Sequence, residues 1–335
     1  MIIDCIAALE AKKSLSPWSY EINEDLSNFD VLIKTIACGI CYSDVHMIDN
    51  DWNSSKYPLV PGHEVIGTVQ ATGQAVSNLK KGDLVGVGWQ RSACLACDDC
   101  LRGNENLCSV AYQATVVKNH GGFGSFMVTD SRFAFPLPTG LDIFTSAPLL
   151  CGGITVYSAL REAGMKSGQK IGVIGLGGLG HMAVQFASSL GNQVTVFTTS
   201  DDKAVNAIDL GASNAVVTKN DKIPNDLPNK LDIIINTVDH PLAWERYLRL
   251  LGSDGTLTFV GNPGNITVPV SLLLGRRRRI TGSPIGGRSR IVEMLKVAAN
   301  YHIEPVIEKY RLSEANVAIG RLRDNKVRYR AVLEI

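Results

Sequence analysis

Short apolar stretches broken by turn residues fill roughly the first 150 positions. Residues 31–36 (Val-Leu-Ile-Lys-Thr-Ile), 65–69 (Val-Ile-Gly-Thr-Val) and 83–87 (Asp-Leu-Val-Gly-Val) have the length and composition of strands. They predict a β-rich domain with many loops. Near residue 153 the rhythm changes. A helix is predicted over 155–163, then a strand at 170–174, a helix from 180 to about 190, a strand at 194–197, a helix over 203–210 and a short strand at 215–217. The alternation continues with a strand at 231–235, a helix over 243–251 and a strand at 256–260. Strands alternating with helices at this pitch predict a doubly wound parallel sheet, so the fold class is α/β. From about residue 289 the chain opens as a helix over 291–299 and closes in a strand-like 327–333, expected to return to the first domain. No internal repeat or low-complexity segment is visible.

Composition narrows the function classes. A chain of 335 residues holds two domains, each able to bury its own core. Hydrophobic residues make up 45% and charged residues 19%, ordinary values for a soluble protein, and a net charge of +1 argues against a broad nucleic-acid or membrane surface. The one basic run, Arg276, Arg277, Arg278 and Arg279, reads as a phosphate patch or as a solvated loop leading into a strand at 280–281. A single run in a neutral chain favours the loop. No stretch has the length of a membrane span. The partly apolar start is interrupted by Asp4 and lacks a basic leader, which predicts no signal peptide and a cytoplasmic setting with reduced thiols.

Two motifs carry chemistry. Cys94, Cys97, Cys100 and Cys108 form C-x2-C-x2-C-x7-C, a spacing that lets four thiolates close a tetrahedral zinc shell with no position left for substrate. The competing reading is two disulfides, disfavoured for a cytoplasmic chain. Gly175, Gly177 and Gly180, with Gly178 and Leu179 between them, form G-x-G-x-x-G directly after an apolar strand and at the start of a helix. There Gly175 permits the tight turn, Gly177 lets the backbone approach a pyrophosphate and Gly180 allows close helix packing. A dinucleotide is predicted to bind. His181 follows this turn and either touches the pyrophosphate region or serves the helix start. The strand at 194–197 runs into Thr198, Thr199 and Ser200, without the carboxylate that usually binds a ribose 2′-hydroxyl. Thr199 and Ser200 leave room for a 2′-phosphate and Lys203 adds positive charge, which predicts NADP(H). The contrary arrangement turns Asp201 or Asp202 onto the ribose of NAD, and needs the strand to end roughly three or four residues later.

A second set of metal-type residues is Cys41, His63, Glu64 and Cys151. The run from Gly62 through His63, Glu64, Gly67 and Gly73 to Val76 fits G-H-E-x2-G-x5-G-x2-V. With the segments around Cys38-Gly-Ile-Cys41 and Leu149-Leu-Cys151-Gly-Gly, the four-cysteine lobe and the closing Val327-Arg-Tyr-Arg, it resembles the zinc-containing medium-chain alcohol dehydrogenases over essentially the whole chain. Within them the resemblance is to the cinnamyl alcohol dehydrogenase-like branch of aldehyde reductases. It implies a GroES-like catalytic domain over 1–153 and 289–335, a Rossmann NADP-binding domain over 154–288, two zinc ions per chain and a homodimer. Cys41, His63 and Cys151 are then the ligands of a catalytic zinc with one open position. Glu64 either adds a carboxylate when substrate is absent or acts through its charge from behind the ligands. Asp44 is the expected partner of His63, fixing its tautomer. The same resemblance makes Cys41 rather than Cys38 the ligand, Ser43 the first proton relay, His46 the terminal base, and Thr155 the residue packed on the nicotinamide ring. Trp52 and Trp89 are candidates for an apolar substrate wall, or ordinary core aromatics. Cys5 is read as a small hydrophobe in a strand. His120, His240 and His302 lie outside any ligand pattern.

The expected activity is hydride transfer between NADP(H) and aldehydes or primary alcohols. An NAD-linked polyol or secondary-alcohol dehydrogenase on the same scaffold is the near rival, and a non-enzymatic zinc protein the distant one. The latter would need neither an open ligand set nor a nucleotide fingerprint.

Overall fold

A computed structural model describes residues 1–23, 25–218, 223 and 231–335, and the statements below concern these residues. The chain divides into two compact units, Met1–Gly152 with Gly286–Ile335, and Gly153–Ile285.

The first unit is built on a seven-stranded sheet whose long central strand is Asp30–Ile40. Its first half alternates buried positions with half-buried or exposed ones, and its last four residues are all buried. The strand therefore runs past residue 36, where the sequence pattern stops. Ala37, Cys38 and Gly39 carry no strand signature, but they are flanked on both sides, by Glu64–Thr72 and by Arg330–Glu334, both antiparallel. Arg330–Glu334 lies between this strand and Ile307–Arg311, so the chain's last segment completes the first unit. Leu84–Val87 and Ala134–Pro136 extend the sheet, and Phe126–Asp130 pairs with the first half of the central strand. Val31, Ile33, Val65, Val69, Val85 and Leu333 meet in the core.

The second unit carries six parallel strands in the order Asn214–Val217, Gln193–Thr198, Lys170–Ile174, Leu231–Asn236, Leu251–Phe259, Arg279–Gly282. The order reverses between Lys170–Ile174 and Leu231–Asn236, which creates the crevice where doubly wound sheets take their ligands. Predicted elements recur with shifted ends. The helix placed at 203–210 is Asp201–Asp209, capped by Ser200, whose Oγ accepts from the Lys203 N–H at 3.4 Å. The helix placed at 243–251 is Trp244–Leu250, and the next strand starts at once at Leu251 because Leu251 pairs with Leu231 ahead of a bulge. The helix placed at 291–299 is Arg288–Tyr301.

The arginine run is absorbed by structure. Arg277 pairs with Asp254, Arg278 donates to the Leu251 and Leu272 carbonyls, and Arg279 donates to the Asp254 carbonyl. It forms a loop entering the edge strand Arg279–Gly282. No single helix among the described residues is long and apolar enough to cross a membrane.

Candidate active site

Three loops and one strand of the first unit bring Cys41, His63, Glu64 and Cys151 together, with their ligand-type atoms all within 4.8 Å of one another. Cys41 caps the helix Tyr42–Asp49 in extended backbone. His63 precedes the strand Glu64–Thr72, and Cys151 follows the short turn Ala147–Leu150. The two sulfurs lie 3.9 Å apart. His63 and Glu64 are fully buried, and Cys41 is partly exposed.

Asp44 organises this set. Its Oδ2 accepts the Cys41 N–H at 2.9 Å, while Oδ1 accepts the Gly62 N–H at 2.9 Å and His63 Nδ1 at 3.0 Å. A buried carboxylate bonded to Nδ1 leaves the lone pair on Nε2. That Nε2 has no hydrogen-bond partner although it is buried.

Arg330 is the functional residue that the sequence reading missed. Its guanidinium is buried and donates to Glu64 Oε1. The other oxygen, Oε2, is buried without a partner. Room for this carboxylate comes from Gly39, which stands opposite Glu64 across the sheet: a Cβ there would lie 2.0 Å from Oε2. The signal in the sequence was an arginine opening an apolar strand, Arg330-Ala-Val-Leu333, where a buried cation requires an anion.

Electrostatics fit a metal. Sharing with Cys151 draws the Cys41 thiol well below its ordinary range, helped by His63 and Arg330 against burial, and the same contact pushes Cys151 well above it. Burial raises Glu64 to about 7 against the pull of Arg330. His63 is raised: burial opposes this, but Asp44 and then Cys41 outweigh it. Two sulfurs, an orphaned imidazole nitrogen and an orphaned carboxylate oxygen, all buried and facing one another, are a donor set that zinc satisfies. Cys38 is outside it. Burial raises its thiol, and Sγ meets main-chain groups, the Gly39 carbonyl at 3.6 Å and the Glu64 backbone.

Around this set lie the other sequence candidates of the first unit. Ser43 Oγ is 3.7 Å from Cys41 Sγ. His46, three residues on along the same helix, is one-third exposed, with Nδ1 held by Asp51 at 2.8 Å. Trp52 stacks near His46, and Trp89 stands edge-on to both Trp52 and His63, with centroids 5.8 and 4.8 Å away. Trp89 thus packs against a member of the set, and Trp52 against Trp89 and His46. Tyr112, absent from the sequence candidates, lies beside Trp89 and Cys151, and its hydroxyl is raised by burial.

In the lobe, the sulfurs of Cys94, Cys97, Cys100 and Cys108 approach to 3.6–4.0 Å with no disulfide. Main-chain N–H groups of Ala96 and Cys97 reach Cys94, and that of Ala111 reaches Cys108, which falls to about 6. Cys100 is pushed up to about 12 by burial and by sharing with Cys97. One thiol held up beside others held down is what four sulfurs do when crowded around a place for a cation. Cys5 behaves as expected of a buried hydrophobe, raised to about 12 by burial.

In the second unit, Gly175 turns the chain with φ +90°, and a Cβ there would press on Val238 and Thr237. Thr237 Oγ1 pins the turn by donating to the Ile174 carbonyl at 2.8 Å. The backbone at Gly177 faces open space and that at Gly180 packs against Gly175, as a pyrophosphate cradle requires. His181 is buried, its Nδ1 2.9 Å from the Gly177 carbonyl, so it braces the turn. Thr199 is exposed and Ser200 half-buried, and Asp201 and Asp202 occupy the first turn of the next helix, exposed. Thr155 is half-buried in the helix Gly152–Glu162.

A paired thiol–imidazole metal site and a dinucleotide crevice define an oxidoreductase. The family model "Alcohol dehydrogenase GroES-like domain" matches residues 27–139, and "Zinc-binding dehydrogenase" matches 178–300. The aldehyde reductase AdhA of Synechocystis is 41% identical, over 99% of this chain and 98% of its own. Cinnamyl alcohol dehydrogenase 8 of Arabidopsis thaliana is 40% identical, over 98% and 94%. Among solved structures, a cinnamyl alcohol dehydrogenase of Sorghum bicolor superposes with a TM-score of 0.92 at 36% identity, over 100% and 98% of the two chains. One from Helicobacter pylori, complexed with NADP(H), gives 0.88 at 30% identity, over 99% and 98%. The chain belongs to the zinc-containing medium-chain alcohol dehydrogenase family.

Proposed function

We propose that this enzyme reduces aldehydes with NADPH and runs in reverse on primary alcohols. The observation that carries the reading is the buried, unpartnered His63 Nε2 facing the sulfurs of Cys41 and Cys151. Cys41, His63 and Cys151 would hold the catalytic zinc, with Glu64 within reach as a further donor, and Cys94, Cys97, Cys100 and Cys108 would hold a structural one. When bound, zinc polarises the carbonyl oxygen and the nicotinamide ring carries the hydride.

The chain's own residues do the rest. The Ser43 hydroxyl hands a proton to the substrate oxygen. His46 lies on the same helix face, its Nδ1–H held by Asp51, so Nε2 exchanges the proton with solvent. Arg330 keeps Glu64 from leaving an uncompensated charge behind the ligands. Trp52 and Trp89 offer flat apolar faces to the substrate. In the second unit, Gly175, Gly177, Gly178, Leu179 and Gly180 receive the pyrophosphate and Thr155 packs on the nicotinamide. Thr199, Ser200 and Lys203 receive the 2′-phosphate: the strand ends at Thr198 and no carboxylate occupies its end. The Ser200 O–H remains a donor while its oxygen caps the helix.

Reduced thiols in both sulfur sets favour a cytoplasmic setting. The edge strand Arg279–Gly282, flanked by the exposed Val270 and Leu274, favours a homodimer through the second unit. NADPH oxidation by purified enzyme against aromatic and aliphatic aldehydes tests the assignment: turnover with several aldehydes supports it, and consumption only with polyol-derived ketones opposes it.

A further inference from the structure

The loop that closes the four-cysteine lobe carries one buried acid, Glu105, in the turn Glu105–Leu107 between Cys100 and Cys108. Its main chain belongs to the lobe: the carbonyl accepts from the Cys108 N–H at 3.1 Å and from Gln90 Nε2 at 2.7 Å. Its side chain leaves the lobe. Oε2 accepts the Arg288 N–H at 3.0 Å, and Oε1 lies 3.4 Å from Arg288 Nη1.

Arg288 opens the helix Arg288–Tyr301, whose cap residue, Gly287, has no side chain to satisfy the first amides. Glu105 supplies that cap from 183 positions away, with a carboxyl oxygen at the positive end of a four-turn helix. Arg288 is held further by its Nε donating to the Arg132 carbonyl at 2.8 Å. The backbones touch as well: a Cβ on Gly287 would lie 2.0 Å from the Gly103 carbonyl oxygen.

This is also where the chain returns from the second unit, which ends at Ile285. The outgoing crossing, at Gly152 and Gly153, directly follows Cys151 of the catalytic set. The outgoing crossing is a glycine pair and the return is followed by one, Gly286-Gly287; the first adjoins a metal-ligand set by a peptide bond and the second through Glu105.

We propose that Glu105 is a positioning residue that couples the four-cysteine lobe to the start of the 288–301 helix, so that the lobe's metal orders the returning crossing as well as its own loop. The proposal rests on the reading of the four cysteines as a metal site, and not on which substrate the enzyme takes. A metal held by the four thiols would thereby order residues outside its own loop.

Amide hydrogen exchange of the holoenzyme, without substrate, reads the coupling directly. Glu105→Ala should raise exchange at residues 288–291 by about fivefold or more, the equivalent of losing one helix cap. Glu105→Gln keeps a carbonyl acceptor for the Arg288 N–H and should restore most of that protection. Cys97→Ser, which breaks the lobe's ligand set and should lower metal content by one equivalent, is expected to loosen 288–291 to the same degree. Adding Glu105→Ala to it should change nothing further there. Should Cys97→Ser not accumulate as folded protein, prolonged chelation of the wild type supplies the same arm. Protection at 288–291 that survives loss of the lobe metal overturns the proposal, and so do effects of the two variants that multiply.

Discussion

Arg330, Glu64 and Gly39 form a unit that no single one of them reveals. The carboxylate is tolerated in the core because the guanidinium pairs with it, and it fits because residue 39 has no side chain. Removing the cation alone strands a buried anion. Arg330→Met should therefore cost about 3–5 kcal/mol of stability, while Arg330→Met with Glu64→Leu should recover most of it, as followed by denaturant unfolding of the three variants. Ser43 belongs to the same scale. Ser43→Ala should slow turnover roughly 10²–10⁴-fold without disturbing the Cys41–Cys151 contact, so metal content should stay at the wild-type level while kcat falls. The four lobe cysteines were legible as candidates from their spacing, whereas Cys41, His63 and Cys151 were legible only through the resemblance of the segments that carry them. Asp44 was legible as the partner of His63 once that set was assigned, and the contact is present. Arg330 and Tyr112 were not, because each acquires its role from partners brought up by folding, 266 residues away in the case of Arg330.

Element ends decide the cofactor. The strand Gln193–Thr198 stops one residue beyond the predicted end, and Ser200 caps a helix that begins with Asp201 and Asp202. Those acids add no apolar periodicity, which is why the pattern placed the helix start at 203, yet they suit a helix N-terminus. A carboxylate at the strand end should repel the 2′-phosphate. Thr199→Glu is expected to reduce the NADPH:NADH ratio of kcat/KM by at least about tenfold, or roughly 1.4 kcal/mol, with Lys203→Ala moving it the same way by less. An unchanged ratio in both would remove Thr199 and Lys203 from the phosphate site. The central strand Asp30–Ile40 and the early start of Leu251–Phe259 show the limit of periodicity. Ala37, Cys38 and Gly39 are held in a strand by neighbours on both sides, and Leu251 by its pairing with Leu231, information that is absent from the segments themselves.

At the scale of the whole molecule, the switch from β-rich to alternating rhythm announced the second unit, and the apolar tail announced the return to the first. The coupling of the four-cysteine lobe to the returning crossing through Glu105 could not be read that way, since a lone acid among ligand cysteines carries no signature. The two sulfur sets should differ in lability. One offers four thiols, and the other offers two thiols and an imidazole, a set that leaves a fourth position to substrate. Metal analysis during mild chelation should find two zinc ions per chain, the first lost together with activity and the second retained. The most direct test of the account is the kinetics of Cys41→Ala, His63→Ala and Cys151→Ala, with NADPH affinity measured alongside. Each variant should lose aldehyde turnover by more than the roughly 10²–10³-fold that loss of one stabilising donor costs, while the NADPH Kd stays near the wild-type value. Substantial turnover in any of the three, or loss of NADPH binding in step with turnover, would contradict it.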